Sequence, residues 1–328
     1  MSNSGRRRIS AIMPTFNRAD FLEEALDCIL SQTEPPNEVI VVDDGSTDHT
    51  DAILDKFSAH VRCARINNSG APVARNTGAY LATGDWLWFC DSDDLWRPDY
   101  LARVRGLLNA DPEPRFVFGN FRLVRGGIWG TRAKFDDVPA GYWGDRGVPK
   151  AHGDWIATSP LYEKLLEFQP VFHSTLVVSR TLFDTAGGYN PRFARTGSED
   201  FEFILRCASH APAGVVADAL VGIRRHESNF SADQLRNLLG EIEILQYAKI
   251  HHSAAASVLP AIDRQITQRS LQSLALAFST ENYPLVNSLA SSVKGSSIGV
   301  KPHIKMLLAT MPPILRDPIV NLARQRRP

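Results

Sequence analysis

The run Trp86-Leu87-Trp88-Phe89-Cys90 is apolar at every position, follows the turn residue Gly84, and leads into Asp91-Ser92-Asp93-Asp94. An unbroken apolar run bounded by a turn signal predicts a strand buried on both faces. Carboxylates clustered at the end of such a strand are costly without an opposing charge. A divalent cation supplies one. Mg²⁺ or Mn²⁺ takes hard oxygen ligands, usually one or two carboxylates with phosphate and water completing the shell. Asp91-Ser92-Asp93 is therefore expected to form a metal–diphosphate site at the carboxyl edge of a sheet, where open α/β folds bind ligands. The alternative is a polar turn that caps the next helix.

The flanking chain alternates in period. Ile9 to Phe16 predicts a strand, and Leu22, Ala25, Leu26, Ile29 and Leu30 have the spacing of an amphipathic helix that Pro35-Pro36 stops. Glu38 to Val42, β-branched throughout Val39-Ile40-Val41-Val42, predicts a second strand, ending in Asp43-Asp44-Gly45-Ser46-Thr47-Asp48. Gly45 suits a tight turn, and Ser46, Thr47 or Asp48 suits the cap of a helix running to about Phe57. Val61 to Ile66 reads as a weaker strand, and Ala71 to Ala82 as a helix carrying Arg75 and Asn76. Arg97-Pro98 opens another helix. Three strand–helix alternations in about ninety residues predict a parallel, doubly wound sheet. Beyond Leu108, Phe116–Gly119 and Phe121–Val124 read as two short strands, and residues 125–158 show no period. A short helix over Leu161–Phe168, a strand over His173–Val178, a turn at Gly187-Gly188-Tyr189 and a helix opened by Ser198-Glu199-Asp200 follow. Gly214–Ile223 reads as a strand ending in Arg224-Arg225-His226, and the chain from Ser231 as helical.

Composition excludes several classes. With 36 basic and 36 acidic residues the formal net charge is zero, so no overall field draws the chain to nucleic acid. Cys28, Cys63, Cys90 and Cys207 are far apart, which predicts reduced thiols and not a disulfide framework or zinc site. The apolar run after Arg6-Arg7-Arg8 is broken by Pro14, Thr15 and Asn17, too short and polar for a signal peptide. No apolar stretch is long enough to span a bilayer. The expected location is cytoplasmic.

Met13-Pro14-Thr15-Phe16-Asn17, Val42-Asp43-Asp44-Gly45-Ser46-Thr47-Asp48, Ala74-Arg75-Asn76-Thr77-Gly78 and Phe89-Cys90-Asp91-Ser92-Asp93-Asp94 occur in that order, each at the end or on the face of an expected element. With Ser198-Glu199-Asp200 and Arg224-Arg225-His226, they resemble the motifs of the family 2 inverting glycosyltransferases. The resemblance covers residues 9–230 and implies the GT-A fold: a Rossmann-like, mostly parallel, doubly wound α/β sheet. Residues 1–230 would then form the transferase domain, with nucleotide-sugar binding in about 9–110 and the acceptor part in about 111–230. Residues 231–328 would be a helical extension. The Trp- and Gly-rich stretch 126–158 departs from the family pattern.

The resemblance implies roles. Asp44 would take the imide N–H of the donor base, with Asp43 positioning the loop and Pro14 and Phe16 lining the base pocket. Arg75 would reach donor phosphate oxygens, which suit its forked N–H groups, with Ser92 beside it. Asp93 and Asp91 would hold Mn²⁺ or Mg²⁺, Asp93 directly, and His226 would meet the metal or diphosphate. The ion would neutralise the departing diphosphate. Asp200 would be the general base that takes the acceptor hydroxyl proton, so that one displacement inverts the anomeric carbon. Glu199 and His173 would line the acceptor side. The donor would be a nucleotide-diphospho-sugar, with uridine the expected nucleotide, and the acceptor a saccharide or lipid-linked hydroxyl in surface polysaccharide or glycolipid synthesis.

Each residue has a plainer alternative: Asp43-Asp44 a turn and cap, Phe16 a core aromatic, Arg75 a solvated helix residue, Asp200 a capping acid at a helix start, His226 a structural histidine. A non-catalytic nucleotide-sugar-binding or scaffold protein is the alternative function on the same fold. A phosphohydrolase with Asp91 as nucleophile would place that acid after the first strand. A nucleotidyltransferase would want a Gly-rich basic loop where this chain has Pro14-Thr15-Phe16-Asn17. The tail carries Lys301, Lys305, Arg316, Arg324, Arg326 and Arg327 against Asp317, interleaved with Ile304, Leu307, Leu308, Leu315 and Ile319. Pro312-Pro313 divides it into two short helices. Such helices suit peripheral contact with the inner membrane face, or else close over the sheet or form a homodimer contact.

Overall fold

In the computed structural model, residues 7–144, 147–210, 212–226, 233–293 and 299–325 are described, with side chains to residue 322. Arg6, Arg326, Arg327 and the Arg324 side chain lie outside the described residues. The chain divides into two compact units, Met1–Arg195 with Glu199–Asn229, and Thr196–Ser198 with Phe230–Pro328.

The first unit is built on one sheet. Its first half runs β1 (Ile9–Thr15), α1 (Ala19–Leu30), β2 (Glu38–Asp43), α2 (Thr50–Lys56), β3 (Arg62–Arg65), α3 (Ala71–Leu81), β4 (Trp86–Phe89), β5 (Leu95–Trp96) and α4 (Tyr100–Ala110). It continues through β6 (Phe116–Arg125), β7 (Ile128–Ala133), β8 (Val148–Pro149), β9 (Trp155–Ala157), α5 (Tyr162–Glu167), β10 (Val177–Ser179), α6 (Arg180–Ala186), α7 (Glu199–Ala208) and β11 (Ala213–Arg224). The strand order is β3-β2-β1-β4-β10-β6-β11-β9-β8, with β5 on β11 and β7 on β6. The strands β3, β2, β1 and β4 are parallel, as the alternation predicts. Between β4 and β6, β10 is antiparallel to both, and β11 is again parallel to β6.

Strand period sets the layers. Ile9, Ala11, Met13, Val39, Val41, Trp86 and Trp88 share one core with Leu22, Ala25, Leu26 and Ile29 of α1 and Tyr100, Leu101 and Val104 of α4. The alternate residues face the other layer. A Cβ on Gly78 of α3 would meet Ile12 Cγ2 at 2.4 Å, so the helix lies hard on β1 because that position is glycine. Phe89 packs against Phe183 of α6 and Phe203 of α7. Burying each such side chain stabilises the fold by about 1.5–3 kcal/mol.

Three sequence expectations change. Phe116–Arg125 is one strand and not two, because Gly119 marks a close approach and not a turn: a Cβ there would lie 3.0 Å from the Tyr100 ring. His173–Thr175 is a 3-10 turn, and the strand begins at Val177. The described residues of 126–158 are held by aromatic packing. Trp143 meets Phe118, Phe135, Tyr142 and Trp155 at ring-centroid distances of 4.9–6.4 Å, so large buried rings supply the order that periodicity does not reveal.

The second unit is helical: α8 (Gln234–His251), α9 (Leu259–Ser279), α10 (Tyr283–Ser292), α11 (Val300–Thr310) and α12 (Pro313–Gln325). Leu274, Ala277, Tyr283, Val286, Leu289 and Ala309 form its small core. Among the described residues, no helix is long and apolar enough to cross a membrane.

Candidate active site

The carboxyl ends of β1, β2 and β4 open on the same edge of the sheet. At the first, Asn17 takes φ 51° and ties two loops together. Its backbone N–H donates to Ser46 Oγ (2.9 Å), and its Oδ1 accepts the Thr47 N–H (2.8 Å). Asp48 accepts the Ala19 N–H on one oxygen and the Thr50 N–H on the other, tying the start of α2 to the start of α1. Thus the polar residues of Asp43–Asp48 first serve to weld the ends of β1 and β2.

Both acids of the Asp43-Asp44 pair are buried. Asp44 accepts the Ser69 and Gly70 N–H groups, one on each oxygen, both at 2.7 Å. Asp43 accepts the Ser46 N–H on Oδ1. Its Oδ2 has no hydrogen bond and lies 3.4 Å from Arg65 Nη1. Its register partner Thr15 has a buried hydroxyl with no hydrogen-bond partner. A buried donor–acceptor pair with spare capacity therefore sits beside Phe16, which is 39% exposed. Pro14 and Ser92 are buried.

Arg75 joins two acidic groups that are far apart in sequence. Its Nη2 donates to Asp91 Oδ1 (2.7 Å), and its Nη1 lies 3.4 Å from Glu199 Oε1. The guanidinium also stands over the Tyr189 ring. Nε is buried without a hydrogen bond. Arg75 thus engages protein carboxylates where the sequence suggests phosphate, and Asp91 faces this guanidinium. Burial opposes the Asp91 charge, but Arg75 outweighs it and holds the carboxyl below its usual value. Asn76, next in the motif, receives the Tyr189 N–H on its side-chain oxygen and donates to the Tyr189 carbonyl, fixing the Gly187-Gly188-Tyr189 turn.

Asp93 points elsewhere. Its Oδ2 lies 3.1 Å from His226 Nε2 and 3.3 Å from Arg18 Nε. The His226 ring stacks on Phe21 at 4.2 Å. What brings His226 there is Asp94, whose role sequence reasoning missed. The buried Asp94 accepts the Arg224 N–H on Oδ1 and the Ser174 hydroxyl on Oδ2. It bolts the end of β11 to the turn after β4. Burial, then Asp93 and Asp91, push its carboxyl well above the usual range. Its signal was its place as the third acid of the cluster.

Asp200 lies in the first turn of α7 beside Glu199. Ser198, just before, takes φ 62°, a conformation that is rare outside glycine and clusters at functional sites. Burial, then the Glu199 charge, push the Asp200 carboxyl up to about 7. Burial also raises Glu199, against the pull of Arg75. His173 is fully buried, with its ring nitrogens 3.2 Å from the Tyr189 hydroxyl and its ring against Phe89. Burial, reinforced by Arg75, holds it well below the usual histidine value, hence neutral. At 1% exposure it is packed against the Tyr189 and Phe89 rings. Tyr189, which the sequence marks only as a turn residue, is the ring shared by Arg75 and His173.

The family model described as "Glycosyl transferase family 2" matches residues 10–138. A "PGL/p-HBAD biosynthesis glycosyltransferase" of Mycobacterium bovis (strain BCG / Pasteur 1173P2) is 32% identical over 206 residues, covering 61% of this chain and 70% of the relative. Among solved structures, S. aureus TarS 1-349 in complex with UDP-GlcNAc superposes with a TM-score of 0.61 at 18% identity, covering 87% of this chain and 81% of that one. The mannosyltransferase PcManGT from Pyrobaculum calidifontis, in complex with GDP-Man and Mn2+, gives 0.53 at 22% identity, covering 88% and 80%. The two structures show the fold, a mostly parallel GT-A sheet with a helical C-terminal region. The sequence match carries more, and by it this chain belongs to the family 2 glycosyltransferases and is itself a glycosyltransferase.

Proposed function

We propose that the protein transfers a sugar, with inversion, from a uridine-diphospho-sugar to a hydroxyl of a saccharide or lipid-linked acceptor, with Asp200 as general base. The observation that carries this reading is the Arg75 bridge. One guanidinium links Asp91, at the end of β4, to Glu199, the neighbour of Asp200. The acids of the donor side and the base are thereby held in one charge network.

Asp200 suits the role. A carboxyl near 7 is largely ionised at slightly alkaline pH, yet basic enough to accept a hydroxyl proton as the oxygen attacks. Asp43, Asp44 and Phe16 would form the base pocket, the carboxylates accepting an imide N–H and the ring stacking. Asp93 and His226 would hold a divalent cation. The Asp93 oxygen suits Mn²⁺ or Mg²⁺, and the imidazole nitrogen 3.1 Å from it favours Mn²⁺ of the two. Among the described residues no three acidic, His or Cys side chains converge for an ion, so phosphate and water would complete the shell. When bound, the ion would offset the charge of the leaving diphosphate. Arg75 acts as a positioning residue, since its donors already face Asp91 and Glu199.

Nucleotide release measured across UDP- and GDP-sugars tests the donor assignment, with turnover expected from UDP-sugars. Turnover from GDP-sugars alone would overturn it. Excess EDTA should remove most of that activity, and Asp93→Asn should lower it by at least ~10²-fold without unfolding the protein. Full activity in EDTA would rule out the ion. Asp44→Asn disturbs the Ser69 and Gly70 contacts and should raise the Kd for UDP by at least ~10-fold, as read by calorimetry. Unchanged UDP affinity would move the base pocket away from Asp44.

A further inference from the structure

The helices α11 and α12 each carry a second apolar face. On α11, Ala309 is buried in the core of the second unit. Val300, Ile304 and Leu307, on the opposite face at i, i+4 and i+7, are 50–73% exposed. On α12, Val320 is buried, whereas Leu315, Ile319 and Leu322 repeat the same spacing and are 47–59% exposed. Isolated exposed apolar residues are ordinary, but a stripe of helical period on each of two successive helices is not.

Charge identifies the occupant. Residues 299–328 contain six basic side chains, Lys301, Lys305, Arg316, Arg324, Arg326 and Arg327, and one acid, Asp317, in a chain of zero formal net charge. That acid is paired with Arg316 at 2.9 Å. Lys301 is exposed next to the α11 stripe. Two copies of this chain meeting through this segment would bring two net-basic segments together, which disfavours a symmetric dimer here. We propose that this basic C-terminal segment docks on an anionic lipid bilayer, with the exposed apolar stripes of α11 and α12 entering the acyl boundary. Docking does not depend on the catalytic reading.

Co-sedimentation of the full chain with phosphatidylcholine vesicles containing phosphatidylglycerol tests it, with pure phosphatidylcholine as comparison. Strong pelleting with the anionic vesicles at low salt is expected, falling at least ~10-fold on neutral vesicles or at high salt. Leu307→Asp with Leu315→Asp should lose at least ~10-fold in partitioning while keeping its circular dichroism, because both positions are exposed. Lys301→Glu with Arg326→Glu and Arg327→Glu, which leaves the apolar stripes intact, should show the same loss. Failure of the folded chain to pellet at low salt would overturn the proposal, as would variants that pellet like the native protein. A native dimer that Leu307→Asp with Leu315→Asp dissociates would assign the face to a second copy instead.

Discussion

Asp200→Asn is expected to lower kcat by about 10²–10⁴-fold while the Kd for the donor stays within a few-fold of the native value. The substitution preserves shape and removes only the capacity to accept a proton, which is needed in the transition state alone. It should also stabilise the protein above neutral pH. The Asp200 carboxyl is raised from 3.8 to about 7. An acid with a raised folded-state value favours the native state while protonated. This contribution is full below about 4 and is lost as pH rises through about 7. The asparagine variant should therefore gain in Tm at pH 8, by about 2–4 °C for each kcal/mol relieved, and the gain should shrink towards pH 4. Loss of turnover accompanied by loss of Tm at pH 8 would mean that Asp200 is a structural cap.

Arg75→Ala is expected to cost more stability than any other single change in the site. The side chain is buried and neutralises two carboxylates, Asp91 and Glu199, that themselves lie largely out of solvent. Removing one member of a buried pair commonly costs about 3–5 kcal/mol, and the partial exposure of these acids lowers the expectation to about 2–4 kcal/mol. Arg75→Lys should recover little, because one ammonium cannot span both carboxylates as the fork does. Urea unfolding at neutral pH measures this directly. A loss below about 0.5 kcal/mol for Arg75→Ala would show that the bridge does not hold the site. At low pH, where the carboxylates are protonated, the difference between native and variant should narrow.

The alternation from β1 to β4 is legible because amphipathic period and β-branched runs fall on separate segments. The same logic misreads β6, since a glycine that serves packing against Tyr100 looks like a turn. It is silent over 126–158, where Trp143 packs on the Phe118 and Trp155 rings, distant in sequence. In the site, the acidic clusters announce themselves, and the structure gathers Asp93 with His226, and Asp91 with Glu199. Partner choice within the clusters is not legible. Nothing in Ala74-Arg75-Asn76 says that the guanidinium turns to carboxylates, and nothing near His173 announces that Tyr189 and Phe89 close over it. Asp94 stayed hidden because its partners, Ser174 and the Arg224 N–H, lie about 80 and 130 residues away.

The most direct measurement is the dependence of kcat on pH, with the active donor at saturation, for the native enzyme and for Asp200→Asn. A native kcat that rises with pH through a midpoint near 7, and a low rate without that midpoint in the variant, are expected. A variant that keeps the native rate and the same midpoint would contradict the assignment of Asp200 as the base.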